Sequence, residues 1–205
     1  MSLLFWNTIS NYNQSTWVAQ LIICVIGIIL TTLIYIKPTK TVKVLLKIFL
    51  SFSFAWISIA FFIMHGSNEL NKYLTATLFG VIALLFFIDI FKNNIIFERN
   101  KRFNKLVFIL YILFLSYPLI SLIFGHAYPA ITTWLMPCPL VVYSITLLIS
   151  FSTRVDYKIL ILLIFWALTG LPKIFMFGVP EDFILLISGI LSSFIWILIV
   201  KKKEN

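Results

Sequence analysis

The chain has 205 residues, of which 61% are hydrophobic and 17% aromatic, and its 11% charged content is less than half the roughly 25% of a soluble domain. That balance excludes an ordinary water-soluble fold and reads as an integral membrane protein whose main partner is the lipid bilayer. The net charge of +9 does not point to nucleic acid, because the basic residues sit at the ends of apolar runs and form no folded basic face.

In chain order, the first sixteen residues carry no charge and hold the polar string Tyr12-Asn13-Gln14 just ahead of Trp17. Seven apolar runs follow, at 17–36, 44–64, 73–91, 106–125, 134–152, 158–177 and 182–200. A helix of about 20 such residues crosses the roughly 30 Å hydrocarbon core. The sixth run is the weakest, since Gly170 and Pro172 interrupt it. The first run is followed by Lys37 and Lys40 without a small-residue cleavage site, so it is expected to remain as a helix. Cys24 and Cys138 form no CxxC motif and no disulfide framework.

Alternate loops differ sharply in basic residues. Lys37 to Lys47, Lys92 to Lys105, Arg154 with Lys158, and Lys201 to Lys203 account for fourteen of the sixteen Lys and Arg residues, leaving Lys72 and Lys173 on the opposite side. Basic loops stay cytoplasmic, so the N-terminus is expected outside and the C-terminus in the cytoplasm. An odd number of crossings is then required. The expected architecture is an all-α bundle of seven transmembrane helices, one domain over 1–205, in a multi-pass orientation in the cell membrane. No matching pair of broken segments marks an internal repeat.

The stretch LMPCPL at 135–140 interrupts an otherwise membrane-like run. Each proline lacks an N–H and disfavours helical geometry in the residue before it, so Met136 and Cys138 are expected to be extended, with the helix starting at Pro139. Cys138 would then lie beside a helix N-terminus, which favours thiolate. Counting from each basic cluster at 1.5 Å per residue places His65, His126, Cys138 and Asp182 at roughly one depth, 24–32 Å away at the outer edge of the hydrocarbon. Glu69 and Glu181 belong to the same face, as do Tyr12 and Asn13.

Each of these residues also has an ordinary structural reading. A Pro-Cys-Pro can be a bend, an interfacial histidine can cap a helix, and acids after Pro180 suit a helix N-terminus. Their common depth is the argument for an outer-face ligand pocket of Tyr12, Asn13, His65, His126, Cys138, Glu181 and Asp182. Within it, His65, His126, Cys138 and Asp182 offer donors for a soft or borderline metal ion. No pair has diagnostic spacing such as HxxxH. Asp89, the one charge well inside an apolar run, reads as a local ion pair near the cytoplasmic end. A retinal pigment is excluded, because no lysine lies between Phe183 and Val200. Seven-helix zinc hydrolases are excluded too, since they use three histidines and this chain has two.

The string FWNTISNYNQSTWVAQ at 5–20, Met64-His65 followed by Asn71, GHAYP at 125–129, MPCP at 136–139 and GVPED at 178–182 occur in order along nearly the whole chain. Together they resemble a family of bacterial integral membrane proteins catalogued as a domain of unknown function. Val18 stands where that family has proline, and Leu140 where a threonine commonly follows the cysteine. The resemblance implies a bacterial inner-membrane protein with outer-face motifs and supplies no activity. Three readings remain in view. The first is a sensor or transporter binding a small ligand or soft metal ion. The second is an intramembrane enzyme using Cys138 and a histidine on a lipid or envelope substrate, and the third is a scaffold.

Overall fold

The computed structural model describes residues 2–66, 70–98 and 104–204. Glu69, Arg99, Lys101 and Arg102, counted above, lie outside the described residues. The first helix, α1, runs Ser2–Ile36 and so begins well before the expected start at 17. Along its polar first half, hydroxyls spend their donors on carbonyls one turn back in the same helix. Ser10 Oγ donates to Trp6 O at 2.8 Å and Thr16 Oγ1 to Tyr12 O at 2.5 Å. Pro38 ends it, and Thr39 caps α2 (Lys40–Trp56) by accepting from Val42 N at 3.3 Å.

α2 continues without a break as a π-helical segment, Ile57–Met64, and α3 spans Leu70–Lys92. The expected fourth run is two helices, α4 (Asn104–Leu115) and α5 (Tyr117–Ile123), divided at Ser116 because Pro118 has no N–H to continue the ladder. α6 (Pro137–Ser150) comes next. Strand β1 (Ile96–Phe97) pairs antiparallel with β2 (Ser152–Arg154). The sixth run likewise divides, into α7 (Tyr157–Leu168) and α8 (Gly170–Phe177), and after a 3₁₀ turn at Pro180–Asp182 α9 takes Phe183–Glu204.

The fold is all-α apart from that short ribbon, and five stretches are long and apolar enough to cross a membrane: Leu3–Ile36, Lys40–Met64, Asn71–Lys92, Tyr157–Phe177 and Pro180–Ile197. The runs at 106–125 and 134–152 do not form such helices. α6 has 14 residues, a rise of about 21 Å. All of them except Cys138 are buried. A helix apolar all round and covered on every side is an internal axis, so its length is set by its neighbours and not by the hydrocarbon. Around it the elements approach closely where side chains are small. A Cβ on Gly189 of α9 would lie 2.7 Å from Ala167 Cβ of α7, the close backbone approach that holds helices together in lipid.

At the basic end a buried clasp joins α2, α3 and the ribbon. Lys47 Nζ lies 2.8 Å from Asp89 Oδ2, with the two side chains 2% and 1% exposed. Lys47 also donates to Asn93 Oδ1 at 2.8 Å. Asp89 Oδ1 accepts from the backbone of Asn94 at 2.7 Å and Ile95 at 3.1 Å. Arg154 closes the turn by donating to Asn94 O at 2.8 Å and Asn93 O at 2.9 Å. Asp89 therefore has an ion-pair partner on another helix, and not the nearby Lys92.

Lys47→Met leaves Asp89 uncompensated and lowers stability by about 3–5 kcal/mol, and adding Asp89→Asn recovers part of that loss, as read by thermal unfolding in detergent. Gly189→Val forces α7 and α9 apart and costs about 1–3 kcal/mol by the same measurement.

Candidate functional site

The end of the bundle at which α1 begins is built around the non-helical segment 124–136. Its carbonyls have no helical ladder, and α1 supplies the missing donors. Asn13 Nδ2 donates to Pro129 O at 2.7 Å and to Ile131 O at 2.8 Å, while its Oδ1 accepts from Gln20 Nε2 at 3.1 Å. Thr133 Oγ1 donates to Gln20 Oε1 at 2.5 Å. Tyr12 OH donates to Leu135 O at 2.7 Å and accepts from Trp56 Nε1 at 3.1 Å. Both Tyr12 and Asn13 are buried, and both hold backbone.

His65 ends the π-helical segment. A carbonyl can only accept, so Nδ1 carries the hydrogen that bonds Ala60 O at 2.6 Å, and Nε2 meets Ser15 Oγ at 2.7 Å. His126 sits elsewhere, against the Trp6 ring at 3.8 Å between centroids. Its Nδ1 is 3.2 Å from Ser121 Oγ and 3.6 Å from Glu181 Oε1. Glu181 Oε1 also accepts from Ser121 Oγ at 2.7 Å and Thr132 Oγ1 at 2.5 Å. The single Ser121 hydroxyl proton is thereby committed to Glu181, so His126 Nδ1 is the donor toward Ser121. Glu181 Oε2 is buried without a hydrogen-bond partner.

Cys138 and Asp182 form a third group. The helix that carries Cys138 starts at Pro137 and not at Pro139. Met136 is extended (φ −122°, ψ 164°), while Cys138 lies within the first turn. Helix-opening N–H groups have no intrahelical partner in any case, so two prolines fit there at no cost in hydrogen bonds. Leu140 N closes the first turn onto Met136 O at 3.0 Å. Cys138 Sγ donates to Asp182 Oδ2 at 3.1 Å. Asp182 is 1% exposed, and its Oδ1 is buried without a hydrogen-bond partner. Lys173 Nζ lies 3.9 Å from the same sulfur and 3.4 Å from the centre of the Trp166 ring, a cation held over an aromatic face.

This third group stands in the wall of a cavity of about 400 Å³ whose lining is mainly apolar. Phe61 and Phe62 of the π-helical segment, Trp166 of α7, Phe177 of α8 and Ile9 of α1 supply much of the surface, and Lys72, Lys173, Thr132, Cys138 and Asp182 supply polar groups. Of the seven residues expected to share a pocket, Cys138 and Asp182 line the cavity. Glu181 reaches its wall through Thr132. Tyr12, Asn13, His65 and His126 are bonded in the surrounding frame. Among the described residues no three His, Cys, Asp or Glu side chains gather as a metal-ligand set. Lys173, Lys72 and Trp166 were missed as site residues. The signal was present in the charge pattern, where Lys72 and Lys173 stand out as the two basic residues on the sparse side.

Asn13→Ala leaves the buried Ile131 O without its donor, at a cost of about 1–3 kcal/mol, while Pro129 O keeps the Ile131 N–H at 3.0 Å. The expected outcome is a fall in thermal midpoint of the purified protein, with no such fall for the exposed Asn11→Ala.

Comparison with known proteins gives a family and nothing beyond it. No curated protein and no solved structure matches the chain significantly. A family model does match, over residues 2–204, covering α1 through α9 and every residue discussed above. The chain belongs to the family of unknown function DUF6064.

Proposed function

We propose that this is a multi-pass membrane protein that binds a small ligand in the cavity at its outer end, for sensing or transport. In this reading α4 with α5, and α7 with α8, each make one crossing, giving seven with the N-terminus outside. The gathering of basic residues at one end supports that orientation. The observation that carries the binding reading is Asp182. A carboxylate that is 1% exposed, faces an apolar cavity and has an oxygen without a hydrogen-bond partner is costly to maintain. A mainly apolar pocket with a few converging polar groups, here Cys138, Lys173 and Asp182, is the usual form of a small-molecule site.

The enzyme reading is less well supported by the same geometry. Its nucleophile would need an imidazole as base, and the hydrogen-bond partner of Cys138 is the Asp182 carboxylate. Both histidines have other partners. A metal-ion ligand is also less well supported, for lack of a three-donor cluster among the described residues.

In a Cys24→Ser background Cys138 is the sole thiol, and its modification by N-ethylmaleimide reads occupancy of the cavity directly. Adding a membrane lipid extract to protein in neutral detergent is expected to slow modification saturably. Modification at one rate at every lipid concentration would contradict lipid-derived occupancy. Orientation is checked separately: a green fluorescent protein fused after residue 205 is expected to fluoresce, as it does only in the cytoplasm.

A further inference from the structure

We infer that the cavity takes one uncharged hydrocarbon chain from the outer leaflet, ending in at most a neutral polar group. This rests on the binding reading above and adds the chemical class and size of the ligand. The charged groups in the wall are already answered by protein. Cys138 Sγ donates to Asp182 Oδ2 at 3.1 Å, and the other carboxylate oxygen is buried. Lys173 Nζ lies 3.9 Å from that sulfur and 3.4 Å from the centre of the Trp166 ring, and its charge acts on Asp182. Lys72 is half-buried and engaged too, with Nζ 5.1 Å from the centre of the Tyr73 ring. A ligand anion would draw Lys173 away from Asp182, and a ligand cation would compete with Lys173 for the same carboxylate. Either would also give up its own hydration without a free partner in the wall, which is costly. An uncharged ligand disturbs none of these contacts.

Volume sets the size of the occupant. An apolar cavity of about 150 Å³ takes one benzene. The cavity of about 400 Å³ here therefore has room for roughly sixteen carbons on the same scale, which is one chain and not two. Phe61, Phe62, Trp166 and Phe177 line it with aromatic surface. Water finds few hydrogen bonds against such a lining, and hydrocarbon displaces it.

Access points to the membrane as the source. Leu4 and Met176 at the rim are 57% and 53% exposed. They belong to Leu3–Ile36 and Tyr157–Phe177, two of the stretches long and apolar enough to cross a bilayer. In a bilayer these side chains meet lipid, and they carry the apolar lining out to that surface. A chain thus enters from the adjoining leaflet without exposing its hydrocarbon to water. In the orientation proposed above, that leaflet is the outer one.

The test uses full-length Cys24→Ser protein in a neutral steroid-based detergent, which has no linear chain of its own to compete. Four probes share a chain of about sixteen carbons, the length set by the cavity volume, and differ in the head. Hexadecanol is uncharged, hexadecyl sulfate anionic and hexadecyltrimethylammonium cationic, while hexadecylphosphocholine carries both signs. Protection of Cys138 from N-ethylmaleimide and the thermal midpoint are read against the mole fraction of probe in detergent. Hexadecanol is expected to protect at mole fractions at least roughly tenfold below the other three. Thr8→Phe, at a half-buried position in the lining, puts a ring in the chain's place. It is expected to weaken protection by hexadecanol at least roughly tenfold, and to leave the midpoint of the probe-free protein unchanged or raised, as cavity filling does. Should Thr8→Phe not fold, Met176→Trp at the rim is expected to give the same loss of protection. Equal or better protection by any charged probe would overturn the uncharged assignment and leave ligand binding standing. Undiminished protection by hexadecanol in the folded variant would overturn the placement of the chain. No protection by any probe would overturn this inference alone if the lipid extract still protects, and the binding reading with it if the extract does not.

Discussion

A backbone carbonyl without a donor is tolerable in water and expensive in a low-dielectric interior, and segment 124–136 presents several of them at the outer end of a greasy bundle. The rest of the structure depends on how that cost is met. Asn13 takes the carbonyls of Pro129 and Ile131, and Tyr12 takes that of Leu135. Both side chains come from the polar first half of α1. With the segment pinned, Met136 turns extended and α6 begins at Pro137, which delivers Cys138 to the cavity wall. Trp6, farther up the same helix, donates to Phe177 O at 3.1 Å and packs its ring against His126, so α1 also braces the end of α8.

The same logic orders the acids. Glu181 and Asp182 are adjacent, equally buried, and each keeps one oxygen unpartnered, yet their surroundings differ. Glu181 faces Ser121, Thr132 and His126, all from the segment between α5 and α6 or its flanks, and serves to tie the 3₁₀ turn to that segment. Asp182 faces the thiol and the cavity. Gly170 lets this turn approach α8 closely, since a Cβ there would lie 3.3 Å from Asp182 O. At the opposite end the Lys47–Asp89 clasp anchors α2 to α3. The only buried charge cluster aimed at a cavity, among the described residues, is thus the one at Cys138, Lys173 and Asp182.

How much of this was legible beforehand follows from what each signal measures. Long apolar runs report membrane compatibility, and five of them became helices of sufficient length and hydropathy. The run at 134–152 is equally apolar, but hydropathy cannot distinguish a helix covered by protein from one covered by lipid, and α6 is covered by protein. Proline rules predicted Met136 correctly and Cys138 wrongly, because the restriction on the residue before Pro139 yields within an opening helical turn. Counting residues from the basic loops gave depth and no azimuth. His65, His126 and Cys138 therefore read as one group, although each has its own partners. Lys173 was read as a topology marker, and residue counting carries no sign that its ammonium lies over the Trp166 ring.

A ligand held in the cavity beside Cys138, Lys173 and Asp182 is read most directly by native mass spectrometry of protein extracted from its own membranes into a neutral detergent. The account predicts a discrete retained adduct of lipid mass on the native chain that is lost from the Thr8→Phe variant. The same adduct on both proteins, or a bare chain mass for both, would contradict it.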